Sequence, residues 1–304
     1  VRFAIIAAAM ACAACNLAHA ACPADTAARI EVSSSSLCVV IEDPALSKQM
    51  PLLHEWIERS ARIVAGYYGQ FPAPEVLLKV GGMDGSGVGG GRTNNDPALM
   101  IQVRVGRDST AAGLAADWVL VHEMVHLALP EVGRAHNWLA EGLATYVEGV
   151  ARAQFGNRDV TDVWAEDRHS MPQGLPRAGE GGMDQTRAWG RTYWGGALFC
   201  LQADIGIREQ TVNKIGLQTA LRAILKETGG YAHDADIAEV FRIGDTATGT
   251  HVLSGLYQQS KDTPQTPDLD LLWTRLGVPV DPTTQPFDDR APLAAIRKAI
   301  TAKP

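Results

Sequence analysis

The sequence predicts an α+β fold: a small N-terminal mixed sheet followed by a predominantly helical half. Three observations carry this. Short β-branched segments of period two fall only between residues 28 and 105, whereas apolar residues beyond 110 recur at helical spacing. At 304 residues, 46% hydrophobic and 20% charged, the chain has ample material for a buried core and is neither disordered nor fibrous. Residues 21–304 are expected to form one domain, β-rich over about 21–110 and helical over about 111–304.

The first twenty residues read differently. Arg2 supplies a positive start, Phe3 to Leu17 an apolar Ala-rich run, and Ala18 and Ala20 frame an A-x-A cleavage site before Ala21. This pattern reads as a secretory signal peptide, which predicts an exported, periplasmic or extracellular protein. The apolar run is interrupted by Asn16 and falls short of the roughly 20 residues a bilayer needs. No membrane span is expected once the signal is removed. Of five cysteines, Cys22, Cys38 and Cys200 then remain. An oxidising compartment permits a Cys22–Cys38 bridge, and Cys200, in an apolar helical stretch, reads as a core residue.

Residues 28–42 predict two strands around a Ser-rich turn at 33–36, and Leu52 to Tyr68 a helix with Leu53, Trp56, Ile57, Ile63 and Val64 on one stripe. Glu75 to Val80 and Ala98 to Val105 predict strands. Between them, residues 81–97 read as a glycine-rich loop, either a plain connection or a flap beside a cleft. Gly85, Gly87 and Gly90 fall in G-x-G-x-x-G register, but Arg92-Thr-Asn-Asn-Asp-Pro supplies a turn where a dinucleotide site needs a helix. Leu99 to Val105 is expected to lie at the edge of the sheet, where an extended peptide can pair with it.

The segment Asp117-Trp-Val-Leu-Val-His-Glu-Met-Val-His-Leu predicts the next helix and contains His122-Glu123-Met124-Val125-His126, an H-E-x-x-H pattern. Histidines four apart share one helical face, so both imidazoles reach a single zinc ion, and Glu123 stands beside its water as general base. The pattern fixes only three residue types, and an amphipathic core helix is the bland alternative. Pro130 stops the helix. Asn137 is then a candidate cap for a second helix carrying Glu141, the leading candidate for the third ligand a catalytic zinc requires. His136 is an alternative ligand, or a surface loop residue.

Residues 155–187, dense in Gly, Pro and Asp, read as a loop-rich region. Helices are expected over 192–206 and 217–227, with shorter ones near 234–243, 248–260, 268–276 and 291–302.

Three motifs together resemble the Glu-zincin metallopeptidases, the thermolysin-like group that includes aminopeptidase N and glycyl aminopeptidase catalytic domains. They are His122-Glu-Met-Val-His126, Trp138-Leu-Ala-Glu-Gly-Leu-Ala-Thr-Tyr146 and Tyr193-Trp-Gly-Gly-Ala-Leu-Phe, within roughly residues 75–230. The resemblance implies that the helical half is a zincin-type catalytic domain. It further implies that His122, His126 and Glu141 hold one zinc ion, that Glu123 is the base and that Tyr193 donates to the oxyanion. Tyr146 and Tyr231 are weaker candidates for that last role. Two departures stand out. The interval from His126 to Glu141 is short for the aminopeptidase N group, and the Gly-x-Met-Glu-Asn segment that holds a substrate's free amine is replaced by Gly89-Gly-Gly-Arg-Thr-Asn-Asn95, without an acidic residue.

The expected activity is therefore zinc-dependent hydrolysis of a peptide or protein substrate, with endo- and aminopeptidase action both open. Arg191 is a candidate partner for a substrate carboxylate, with simple solvation as the alternative. The rival readings are an exported zinc-binding protein without peptidase activity, and a zinc amidase acting on cell-wall or small-molecule amides. A formal net charge of −7 and the lack of Lys/Arg runs argue against nucleic acid as a partner.

Overall fold

The computed structural model describes residues 22–303, so the signal-peptide reading lies outside the described residues. Strands β1 (Ala28–Val32) and β2 (Ser35–Ile41) form an antiparallel hairpin through a turn in which Ser33 takes a left-handed φ of 57°. Cys22 is bridged to Cys38 in β2, tying the start of the described chain to the sheet. Helix α1 (Met50–Tyr68) crosses over to β3 (Glu75–Met83), which pairs parallel to β2. Its buried stripe of Leu53, Trp56, Ile57, Val64 and Tyr67 packs into the same core as Val76, Leu78 and Val80, alternate residues of β3.

The sheet order is β1-β2-β3-β5-β4, where β4 is Val88–Asn95 and β5 is Leu99–Gly106. Two expectations are corrected here. The glycine-rich stretch is largely a strand, antiparallel to β5, and it rather than Leu99–Gly106 forms the edge. Its sequence, Val-Gly-Gly-Gly-Arg-Thr-Asn-Asn, has almost no strand propensity. The strand exists because β5, with Ile101, Val103 and Val105 buried, offers it a ladder to pair with.

The helical half begins with the short α2 (Ala111–Ala116), then α3 (Val119–His126) and α4 (Asn137–Phe155). Asp117 sets the start of α3: its carboxylate accepts the backbone N–H groups of Val119 and Leu120 at 3.0 and 3.1 Å and the indole N–H of Trp56 at 3.1 Å. The crossover helix thereby fixes the entry to α3. Asn137 does not cap α4. A 3-10 turn over Arg134–His136 runs directly into the helix, so no side chain is needed at that end.

Beyond α4 the region read as loop-rich contains a further helix, α5 (Val160–Ser170), capped by Asp159, whose carboxylate accepts the Thr161 N–H at 2.8 Å. Only Val163 and Trp164 mark its apolar side, too few for a visible period. A single π-helical turn over Arg191–Gly195 leads into α6 (Gly196–Gln210). Helices α7 (Leu217–Thr228), α8 (Ile237–Thr248), α9 (Val252–Ser260), α10 (Leu269–Leu276) and α11 (Ala294–Thr301) complete the half. The starts of α8 and α9 fall three or four residues later than expected, because Asp236 caps α8 and left-handed Gly249 ends it. No described helix is long and apolar enough to cross a membrane.

Candidate metal centre

Helices α3 and α4 bring His122, His126 and Glu141 together. Both Nε2 atoms converge on one oxygen of Glu141, at 3.3 Å from His122 and 3.5 Å from His126. The edge of a tetrahedron whose bonds are about 2.0–2.1 Å long is roughly 3.3–3.4 Å, so these separations suit three ligands on one face of a tetrahedral zinc. Two nitrogens and one oxygen also match the donor set of catalytic zinc. The three residues fit the ion.

Protonation follows from the same contacts. Burial holds His122 below the ordinary histidine value. Burial pulls His126 the same way, but its bond to Glu141 and the charges of Glu141 and Glu123 outweigh this and raise it. Burial alone would raise Glu141, yet its bonds to both histidines hold it well below the carboxylate range. Glu141 is thus held ionised, as metal ligation requires.

Glu123 is buried beside the triad and faces β4. The Thr93 hydroxyl lies 2.7 Å from its Oε2 and 2.9 Å from its backbone oxygen. Gly91 is required here: a Cβ at that position would come within 2.5 Å of Glu123 Cγ and 2.9 Å of its Oε1. The edge strand passes directly over the carboxylate only because it carries no side chain at the crossing. Sequence reasoning missed Thr93, since nothing in the sequence pairs it with Glu123 before β4 is placed.

Tyr193 comes from the π-helical turn and stacks against His122, with ring centroids 6.1 Å apart and planes 17° apart. Burial, then the Glu141 charge, push its phenol well above the ordinary tyrosine value, keeping it a proton donor. Of the other tyrosines, Tyr146 is turned into the core and Tyr231 stands on the β4 side, near Thr93 and Glu123. Tyr146 donates its hydroxyl to buried Asp204 at 2.9 Å, and Tyr231 reaches the backbone oxygen of Thr93 at 3.5 Å. His136 faces Asp184 at 3.0 Å, away from the triad. Arg191 is neither solvated nor open to a substrate: it is 4% exposed and donates to the Gly174 and Gly181 carbonyls at 3.1 and 3.4 Å, bracing the turn that carries Tyr193. Cys200 is free and buried in α6, and burial raises its thiol, so it stands in the core as expected.

A cavity of about 770 Å³ opens beside the triad, lined by His122, Tyr193, Thr145, Gly149 and residues of α5. That is ample for part of a peptide.

No family model matches the sequence, and no curated protein matches it. Solved structures do. An aminopeptidase N family protein from Idiomarina loihiensis aligns over 82% of this chain and 49% of its own, with a TM-score of 0.59 at 12% identity. An M1 zinc metallopeptidase from Deinococcus radiodurans aligns over 80% of this chain and 52% of its own, with a TM-score of 0.52 at 16% identity. The chain shares its fold with these structures. It spans about half the length of these structures. A mutant of the Deinococcus protein, at a TM-score of 0.50, was solved bound to a Tyr-Ser-Ala substrate.

Proposed function

We propose that this protein is a zinc-dependent peptidase, with His122, His126 and Glu141 holding one zinc ion, Glu123 as general base and Tyr193 as oxyanion donor. The observation that carries this is the convergence of both imidazoles on Glu141 with an intact, strand-covered Glu123 beside them. A zinc ion held by these three residues would supply Lewis acidity, lowering the pKa of a water toward about 7 and polarising the scissile carbonyl. Glu123, steadied through Oε2 by Thr93, takes the proton as the water's oxygen bonds to the carbonyl carbon. It returns that proton to the amine as the C–N bond breaks. The Tyr193 hydroxyl donates to the developing oxyanion.

An extended substrate pairs with β4, whose outer side has no strand partner among the described residues. The absence of a carboxylate on Gly89–Asn95 supports cuts within a chain over removal of N-terminal residues. The Cys22–Cys38 bridge supports residence outside the cytoplasm, where such bonds persist.

The test is digestion of a defined peptide mixture by the zinc-loaded protein and by Glu123→Ala, read by mass spectrometry. Cleavage that disappears in a variant still carrying one zinc establishes the peptidase. Equal cleavage by both proteins ends this mechanism, and no cleavage by either returns the non-catalytic zinc protein.

A further inference from the structure

The cavity beside the triad carries an excess negative charge that nothing in the mechanism uses. Its far end lies between α4 and α5, which approach closely because a Cβ on Gly149 would sit 3.4 Å from Val163. Two of its carboxylates are already paired. Glu148 accepts from Arg152 at 2.6 Å, and Glu166 from Arg158 at 2.6 Å. Arg152 is spent further on the Ala116 carbonyl and the Asn157 side chain, and Arg158 on the Asp162 carbonyl. Of the other three, Asp159 accepts from Thr161 and Asp162 is exposed, which leaves Asp167. It lines the cavity, is only 9% exposed, and its carboxylate has no hydrogen-bond or ion-pair partner among the described residues. A buried carboxylate without a partner is costly, and a protein normally pairs such a group or protonates it.

We propose that Asp167 is a specificity residue, and that this cavity receives the long cationic side chain, lysine or arginine, of a substrate residue flanking the cleaved bond. The inference rests on the peptidase reading above. Reach favours a long side chain: from Glu141 to Glu148 is two turns of α4, roughly 10 Å along the axis. The walls along that path suit an alkyl stem ending in a cation. Trp118 and Trp189 are half-exposed or more, Trp118 standing edge-on to His122 at 5.6 Å and Trp189 stacking on Tyr193 at 5.2 Å. Without a cation, burial and then the charge of Glu166 push the Asp167 carboxyl up to about 8, with Arg158 opposing and Glu148 adding to the rise. A cation alongside restores its ionised form.

The test measures kcat/KM on peptides whose cleaved bond is flanked by Lys or Arg, against the same peptides carrying norleucine or citrulline, for the native protein and Asp167→Asn. The native protein should favour the cationic residue by about 10- to 100-fold, mainly through KM, as expected of one charge-assisted contact. In Asp167→Asn that ratio should collapse toward unity, with zinc content retained and the melting temperature no lower than native. No preference in the native protein, or an unchanged ratio in the variant, overturns the assignment while leaving the peptidase standing. If no peptide is cleaved, the peptidase reading fails and calorimetry decides the pocket. Nα-acetyl-arginine amide should bind the zinc-loaded Glu123→Ala protein saturably and at least about 10-fold more weakly when Asp167→Asn is added. Equal binding, or none, overturns the proposal.

Discussion

Gly142 and Gly196 meet backbone to backbone where α4 crosses α6. A Cβ on Gly142 would overlap the Gly196 backbone, and one on Gly196 would overlap Gly142 and the Trp138 carbonyl. Each glycine follows a site residue closely, Gly142 directly after Glu141 and Gly196 three after Tyr193. Their contact is what sets the phenol beside the carboxylate. Gly142→Ala should gain helix propensity yet lose stability overall, by roughly 1–3 kcal/mol, because the overlap is with backbone that cannot rotate away. Turnover should fall while zinc stoichiometry holds. Thermal melts and zinc analysis check this, and an alanine variant as stable and active as the native protein would show the crossing to be loose.

Tyr193→Phe removes one hydroxyl and keeps the ring stacked on His122. The expected loss is about 10²–10³-fold in kcat, the usual cost of one oxyanion donor, with KM and zinc content close to native. Steady-state kinetics on a single peptide suffices. An unimpaired Phe variant would hand the role to another donor.

Thr93 touches Glu123 through its hydroxyl, and on the peptidase reading it would act through that carboxylate and not on substrate. Thr93→Val keeps the shape and removes the hydrogen bond to Oε2, leaving the carboxylate free to turn. We expect kcat to fall roughly 10-fold, the scale of one hydrogen bond to a charged group, with KM little changed and zinc intact. Thr93→Ser should restore most of the loss, which a purely steric role of the methyl group would not allow.

Stability should fall as pH rises through neutrality. Burial lifts the Glu148 carboxyl from 4.5 to about 7, against the pull of Arg152, and lifts Asp167 from 3.8 to about 8. Groups raised on folding bind protons more tightly in the native state, so their contribution is full below the unfolded values. It is lost as pH climbs through the folded ones, that is, between about pH 4 and about pH 8. Denaturant unfolding across that range should show the decline, and Asp167→Asn should flatten it. A slope unchanged by the substitution would mean that Asp167 does not titrate there.

The pairing of His122 with His126 was legible in the sequence because helical spacing converts directly into geometry: residues four apart share a face whatever surrounds them. The sheet's interior and most helices were legible for the same reason, each showing its own apolar period. β4 was not, since Gly89, Gly90 and Gly91 have no side chains to alternate and the strand is specified by its neighbour. α5 was hidden by having only Val163 and Trp164 on its inner side. Arg191 misled because a charged residue in a loop-like stretch normally faces water, and only folding brings it the Gly174 and Gly181 carbonyls and the Glu180 carboxylate that make its burial tolerable. Asp167 gave no signal at all, for an unpaired acid is defined by what fails to reach it.

The strand that crosses Glu123 offers almost nothing but peptide groups along Gly89, Gly90 and Gly91. A chain laid against it meets N–H and C=O groups at fixed intervals, and these are the same for every sequence. On the peptidase reading, such a strand would measure out a substrate without reading it. It would set the depth and phase at which a bond is presented, and be indifferent to which bond that is. Selectivity would then come from the cavity beside the triad, so changing the choice of cleavage site would be a matter of rebuilding α5, with the strand left alone.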